Sequence, residues 1–455
     1  MLDSEKKLFG EILGRMERME IRGVSIDSRS IKEGELFVAL KGDRFDGHDY
    51  VPEAIRKGAW GALVERAALD DKFPSLGGLR NILPVEDTLL ALQEMAHLHR
   101  KKFSIPVVGI TGSNGKTTTK EMIAGILKQK GPVLKNEGNL NNHIGVPLTL
   151  LRIEHRHRSA VVEMGMSAPG EIDLLARLAS PDIGVITNIG PAHLEFLGSM
   201  DKVAEAKGEL LDNLKPDGTA VLNADDRYFT TLNKKSGARM LTFGIDVQAD
   251  VRASDIRQEK HYTDFTILTD GPRAKVRLRA VGKYNIYNAL AAAAAAIAAG
   301  MSLDAVKYGL DDFVPVAMRS EVREVKGRTV LADYYNANPA SMEAALTALL
   351  SLAAGRKAVA VLGDMLELGD AAAEAHREIG RIAGRLGVGV LIAMGELSND
   401  ILKGAREAGI PNDHLFAAGS HAEAADLLTR HSKNGDTVLI KGSRGMKMEK
   451  ILEAF

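Results

Sequence analysis

An apolar run, Ile105 to Ile110, gives way to Thr111-Gly112-Ser113-Asn114-Gly115-Lys116-Thr117-Thr118-Thr119 and then to a helical pattern from Glu121 to Lys130. A buried strand, a glycine-bearing turn and a helix start, in that order, constrain the fold more than any other feature of the chain. They describe the phosphate-binding turn of a parallel α/β sheet. Glycines let backbone amides close around phosphate oxygens, and a helix N-terminus adds partial positive charge. Lys116 can reach β- and γ-phosphates, and the Thr117 hydroxyl can ligate Mg²⁺. The pattern G-x-x-x-x-G-K-[ST] requires glycine at 110, where Ile110 stands, so the turn is the shorter G-x-x-G-K-T-T form. The predicted nucleotide-binding residues here are Gly112, Ser113, Asn114, Gly115, Lys116, Thr117 and Thr118. A chance glycine-rich turn is the alternative, and the strand–turn–helix context opposes it.

The 455 residues suffice for about three domains of ~150 residues each. A first unit, 1–102, carries short strand patterns between Gly and Asp turns and ends in a helical pattern, Thr88 to Lys101. A second, 103–313, alternates near-continuous apolar runs with helical stretches, as parallel strands covered on both faces do. Val107 to Thr111, Val133 to Lys135, Ala160 to Met164, Ile183 to Asn188 and Thr219 to Asn223 are its strands. Phe243 to Leu278 reads as a β-rich excursion ahead of a helix from Asn285 to Ala299. A third unit, 314–455, alternates again and reads as Rossmann-like, without a G-x-G-x-x-G dinucleotide turn. The expected fold is therefore α/β in three domains: a small N-terminal α/β domain, a central P-loop-type parallel sheet with helices on both faces, and a C-terminal Rossmann-like domain.

A net charge of −1 gives no field that would draw the chain to nucleic acid or to anionic lipid. The longest apolar run, Ala289 to Ala299, is too short to span a bilayer. No signal-peptide pattern opens the sequence. With no cysteine, disulfides and thiolate chemistry are excluded. These features fit a cytoplasmic enzyme.

Further candidates lie at strand ends, where open parallel sheets gather their ligands. Glu163 closes the run Ser159-Ala160-Val161-Val162 and is placed either to hold Mg²⁺ or to act as a helix N-terminal acid. His193 follows the strand Ile183 to Asn188 by a short loop and is either a ligand or a structural hydrogen-bonding residue. Lys207, in a helical segment, reads by itself as a surface lysine. Asn285 and Asn288 share one helix face and offer amides that can read a base edge, or they are only helix-start residues. Arg319 can clamp phosphates and Asp333 can hold ribose hydroxyls, with surface ion pairing as the alternative for both. Asn336-Ala337-Asn338-Pro339, Gly363 to Gly369 and Lys441-Gly442-Ser443-Arg444-Gly445 put polar groups on one edge of the third domain. Three such loops together suggest a binding surface.

Taken in order, these elements resemble the Mur ligase family of ATP-dependent amide-forming enzymes over essentially the whole chain. The resemblance implies that Thr111 to Thr119 is the nucleotide loop, that Glu163 and His193 are magnesium ligands with Thr117, and that Lys207 is a lysine carbamylated in many members. Gly282 to Asn288 is similar to the adenine-contacting segment, with Tyr284 where histidine is frequent, and Arg319 and Asp333 match nucleotide contacts. Four segments point to the branch of the family that adds a dipeptide. They are Asn139-Leu140-Asn141-Asn142 with Ile144 to Pro147, Tyr335 to Pro339, Gly363 to Gly369 and Lys441 to Arg444. Asp27-Ser28-Arg29 and Phe45-Asp46-Gly47-His48 are similar to the family's uridine-nucleotide-binding domain.

The resemblance thus implies an enzyme that uses ATP and Mg²⁺. Its partners would be a UDP-linked muramoyl tripeptide and D-alanyl-D-alanine, joined through an acyl phosphate, and the chain would act as a monomer. Implied substrate contacts are Ser28, Arg29, Asp46, His48, Asn139, Asn141, Asn142, Asn336, Asn338, Asp364, Lys441 and Ser443; Lys116, Lys207, His193 and Glu163 are the implied catalytic set. Hinges near 102 and 314 are expected to close the domains. A folylpolyglutamate synthase-like ligase and a P-loop switch protein are the alternatives.

Overall fold

Apolar runs without polar interruption become strands covered on both faces, and three sheets are built from them. The computed structural model describes residues 3–72, 81–191 and 194–455. The first sheet is parallel in the order β1 (Gly23–Ser25), β2 (Glu35–Val38), β3 (Gly61–Glu65), β4 (Ile82–Val85). Phe37, Ala39, Ala62 and Val64 form one apolar cluster of it. Leu36, Val38 and Leu63, at the alternate positions, are equally buried, so both faces are covered.

A nine-stranded sheet follows. Its strands are β5 (Val107–Thr111), β6 (Val133–Lys135), β7 (Ser159–Glu163), β8 (Ile183–Ile186), β9 (Thr219–Asn223), β10 (Arg239–Gly244), β11 (Val251–Gln258), β12 (Thr263–Leu268) and β13 (Arg273–Leu278). The order is β13-β12-β11-β10-β9-β8-β5-β7-β6. The pairs β8–β9, β9–β10, β10–β11 and β6–β7 are parallel, while β12 and β13 add an antiparallel edge beyond β11. The β-rich excursion expected over Phe243 to Leu278 is thus an extension of the central sheet. By contact density the chain divides into two compact units, 1–109 with 130–166 and 170–182, and 110–129 with 167–169 and 183–455.

Within the second unit, the helix Lys283–Ala298 packs against the helix Lys116–Leu127 that follows the glycine turn. Ala289 and the six alanines from 291 to 296 are all fully buried, and their small side chains let the two helices approach closely. The last sheet is β14 (Glu321–Val325), β15 (Arg328–Ala332), β16 (Ala358–Gly363), β17 (Val390–Met394), β18 (Leu415–Ala418) and β19 (Thr437–Lys441), in the order β14-β15-β19-β16-β17-β18. Only β14 is antiparallel to its neighbour. Leu331, Ala360 and Leu439 belong to one core cluster, and Val330, Val359 and Val438 to the other. Successive residues point to opposite faces, so each uninterrupted apolar strand feeds two cores.

Two helices on this domain, Ala372–Leu386 and Ser398–Glu407, touch backbone to backbone. A Cβ at Gly404 would lie 1.8 Å from the Arg377 carbonyl oxygen, and one at Gly380 1.9 Å from that of Ile401. Gly10, in the helix Asp3–Glu17, has nothing within 4 Å of its Cβ position. Gly404→Ala is therefore expected to destabilise by about 1–3 kcal/mol through overpacking, although alanine is the better helix former. Gly10→Ala is expected to stabilise by about 0.5–1 kcal/mol. Thermal unfolding of the two variants checks both signs.

Candidate active site

The glycine turn leaves β5 at Thr111 and enters the helix Lys116–Leu127 with Gly115 as its first flanking residue, at φ +81°. Gly112 sits at φ +143°. Both conformations favour glycine, and space forbids anything else. A Cβ at Gly112 would lie 1.9 Å from Thr187 Oγ1, and one at Gly115 would lie 2.1 Å from Asn288 Oδ1. The turn is stitched to the segment after β8. Ser113 N donates to the Asn188 carbonyl at 2.9 Å, and Ser113 Oγ bonds both Gly190 N and Gly190 O at 2.8 Å. Asn114 N donates to Asn188 Oδ1 at 3.0 Å, while its carbonyl accepts from Thr187 Oγ1 at 2.6 Å and from Asn188 Nδ2 at 3.0 Å. No side chain caps the helix that follows. Its leading N–H groups and the positive end of its dipole suit an anion.

Lys116 Nζ folds back over this cradle and donates to the Gly112 carbonyl at 2.7 Å. Asn285 and Asn288 are buried beneath it. Asn285 Nδ2 donates to the Val281 carbonyl, Asn288 Nδ2 donates to Asn285 Oδ1, and Asn288 Oδ1 faces Gly115. Both residues lie near the start of one helix, as the sequence suggested, and Asn288 also packs against the phosphate turn at Gly115.

Lys207 is the largest departure from the local sequence reading. As an isolated residue it reads as a surface lysine, yet it is 2% exposed in the helix Met200–Asp212. Burial, and then the nearby Lys116 ammonium, hold its amine well below the ordinary lysine range. Removing water disfavours the charged form, and a like charge adds to that.

In the other compact unit, Glu163 is the last residue of β7 and is 3% exposed. The next helix starts only at Glu171, so Glu163 is not a helix N-terminal acid. Its Oε1 accepts from Asn141 Nδ2 at 3.0 Å. Asn136 clamps its backbone, accepting from Glu163 N at 2.7 Å and donating to Glu163 O at 2.9 Å. Asn142 Oδ1 accepts from Ile144 N and Gly145 N and starts the helix Gly145–Leu150. Asn139 supplies a carbonyl to Asn141 N. His193 lies outside the described residues. Among the described residues no three His, Cys, Asp or Glu side chains form a metal cage. Mg²⁺ needs few protein ligands, because it takes oxygen donors and keeps several waters. In this unit the Glu163 carboxylate is an oxygen donor of that kind.

On the third domain, the strand-end loops are tied to one another. Lys441, 2% exposed, donates to Asp333 Oδ2 at 2.6 Å and to the Asn336 carbonyl at 3.0 Å. Asp333 Oδ1 accepts from Ser320 N, and the Tyr284 hydroxyl donates to Ser320 Oγ at 2.7 Å. Burial, with the Asp333 charge behind it, pushes the Tyr284 phenol upward, so it stays a donor. Arg319 lies over the Tyr335 ring at 3.8 Å, and its Nε is buried with no hydrogen-bond partner among the described residues. Asp364 accepts from Glu396 N and Leu397 N, and Ser443 Oγ accepts from Leu366 N.

In the N-terminal domain His48 is buried. It accepts from Glu65 N through Nε2, and its Nδ1 lies 2.6 Å from Asp46 Oδ1. Ser28 Oγ donates to Glu53. Arg29, exposed, grips Asp27 with two bonds and holds that carboxyl down to about 2. The sequence reading missed Asn136, Thr187 and Asn188; the last two sit where the expected strand Ile183 to Asn188 ended.

The Lys207 amine predicts a pH dependence of stability. The unfolded chain binds a proton at this lysine below pH ~10.4, and the folded chain does not until a much lower pH. Stability is therefore full above the unfolded value and falls as pH drops toward the folded one, by up to about 1.4 kcal/mol per pH unit. In CO₂-free buffer, the unfolding temperature of the parent should rise more between pH 7.5 and 9.5 than that of Lys207→Met, and parallel profiles would contradict the buried neutral amine.

Three family models cover the chain: Mur ligase family, catalytic domain, over residues 20–100; Mur ligase middle domain, over 110–296; and Mur ligase, glutamate ligase domain, over 318–444. A Bacillus subtilis relative, UDP-N-acetylmuramoyl-tripeptide--D-alanyl-D-alanine ligase, is 38% identical over 96% of this chain and 93% of its own. A MurF crystal structure from Acinetobacter baumannii superposes with a TM-score of 0.86 at 34% identity, covering 95% of this chain and 94% of the other. MurF ligase from Thermotoga maritima in complex with ADP gives 0.85 at 31% identity, covering 96% and 97%. The chain belongs to the Mur ligase family.

Proposed function

We infer that the chain is an ATP- and Mg²⁺-dependent ligase that adds D-alanyl-D-alanine to UDP-N-acetylmuramoyl-tripeptide in peptidoglycan precursor synthesis. The observation that carries this reading is the end-to-end relationship to ligases of that name, 38% identical over 441 residues. The phosphate cradle agrees with it. Residues 1–102 would hold the uridine nucleotide, 103–313 ATP, and 314–455 the dipeptide. The enzyme would act as a monomer in the cytoplasm; no helix among the described residues is long and apolar enough to cross a membrane.

In the reaction, an oxygen of the tripeptide's terminal carboxylate attacks the γ-phosphorus of ATP, and ADP leaves. The dipeptide amine then attacks the acyl carbon and gives up a proton, and inorganic phosphate departs. The barrier is electrostatic, since an anionic carboxylate must approach an anionic phosphate. Lys116 is poised to exchange the Gly112 carbonyl for phosphate oxygens, and the leading N–H groups of the helix Lys116–Leu127 meet the same charge. Thr117, Glu163 and His193 would hold Mg²⁺, which supplies further charge neutralisation. Arg319, with an unpartnered Nε, would serve the nucleotide. The neutral Lys207 amine is the form able to add CO₂, forming an N–C bond and losing a proton to water. The resulting carbamate would place an anion where an ammonium would repel the metal.

Mass spectrometry of a reaction holding ATP, Mg²⁺, UDP-muramoyl tripeptide and the dipeptide should show a product equal to the two acceptors less one water. Phosphate release that ignores the dipeptide would instead indicate a nucleotide switch. Lys207→Ala should lower kcat by about 10²-fold or more, as loss of a positioned charge does. Small carboxylic acids should restore part of that activity, and failure of rescue would contradict the carbamate role.

A further inference from the structure

One hydrogen bond links the phosphate turn directly to the third domain: Asn338 Nδ2 donates to Asn114 Oδ1 at 2.8 Å, across 224 residues of sequence. Both ends are fixed by other bonds. Asn338 is the N-cap of the helix Pro339–Ala353; its Oδ1 accepts from Ser341 N at 2.9 Å, and Ser341 Oγ accepts from Asn338 N at 3.0 Å. A backbone N–H is an obligatory donor, so this capping box decides which amide atom is oxygen and aims the nitrogen at Asn114. Asn114 is held through its own N–H and carbonyl by Thr187 and Asn188, so its side chain moves only with the phosphate turn. Packing follows the same line: a Cβ at Gly190 would lie 3.5 Å from Ser113 Cβ and 3.8 Å from Ala340 Cβ.

The two residues before Asn338 hold the other loops of the third domain. The Asn336 carbonyl accepts from Lys441 Nζ, and the Ala337 carbonyl accepts from Ser443 Oγ at 3.4 Å. Asn336-Ala337-Asn338 is therefore a junction with the phosphate turn on one side and Lys441 and Ser443 on the other. We propose that Asn338 is a positioning residue that, through Asn114, couples triphosphate occupancy of the turn to the placement of the loops that receive the dipeptide. This rests on the ligase reading given above. A ligand that orders the turn favours the bonded state, and the bonded state holds 336–338 in register for the acceptor. The coupling must act in both directions.

The test is calorimetric titration of D-alanyl-D-alanine into the full chain with UDP-muramoyl tripeptide, with and without a non-hydrolysable ATP analogue and Mg²⁺. Three variants are compared with the parent. Asn338→Ser and Asn338→Asp keep a good N-cap but lose the donor. Asn114→Ala removes the acceptor without touching the cap. The parent should bind the dipeptide more tightly when the analogue is present. Each variant should lose about fivefold to tenfold of that enhancement, as expected for one hydrogen bond. The Asn338→Ser/Asn114→Ala double variant should lose no more than either single one. In turnover, KM for the dipeptide should rise by a larger factor than kcat falls, a split that general loosening of the fold would not give. An enhancement in the variants equal to the parent's, additive losses, or no enhancement in the parent would overturn the coupling. No dipeptide binding by the parent under any condition would overturn the ligase reading itself.

Discussion

The contact on which the rest depends is the close approach of the phosphate turn to the segment after β8. Gly112 lies where any side chain would collide with Thr187, and Ser113 and Asn114 are tied by six hydrogen bonds to Thr187, Asn188 and Gly190. These bonds fix the turn before any ligand arrives. Preorganised donors need no rearrangement as charge develops, and that is the main source of electrostatic stabilisation at such sites. The alanine-rich helix extends the same constraint from below. Its buried alanines allow close packing, and Asn288 reaches up to Gly115.

Two lysines of opposite character meet beside this turn. Lys116 is folded over the cradle as a donor, whereas Lys207 is buried, and desolvation, with Lys116 behind it, holds its amine well below the ordinary lysine range. On the third domain the polar groups bond mainly to one another. Asp333 pairs with Lys441, Ser443 receives Leu366 N, and Asp364 receives two backbone N–H groups. Such cross-linking makes these strand-end loops one rigid surface rather than independent segments.

Much of this was legible in the sequence. The expected ranges Val107 to Thr111, Val133 to Lys135, Thr219 to Asn223 and Thr88 to Lys101 coincide with the observed elements. Long apolar runs and a capped helix start are strong local signals. The glycine turn was legible for the same reason, since its residue types are dictated by backbone geometry. What was not legible depends on tertiary burial. Nothing in Ala206-Lys207-Gly208 tells that the lysine lies inside, and nothing local to Asn288 tells that it faces Gly115, far earlier in the sequence. Strands such as Leu415–Ala418, with an intermediate and an exposed residue among four, carry too little pattern to be seen. Asn338 was legible as a turn residue, but its bond to Asn114 arises only when distant segments meet.

The most direct measurement is calorimetric titration of the purified chain with Mg·ATP, compared with Gly112→Ala after both are shown to be folded. The parent should show saturable one-to-one binding, and the variant, where the added methyl group must displace Thr187, should lose it. Absence of binding by the parent, or equal binding by both, would contradict the claim that this turn grips the triphosphate.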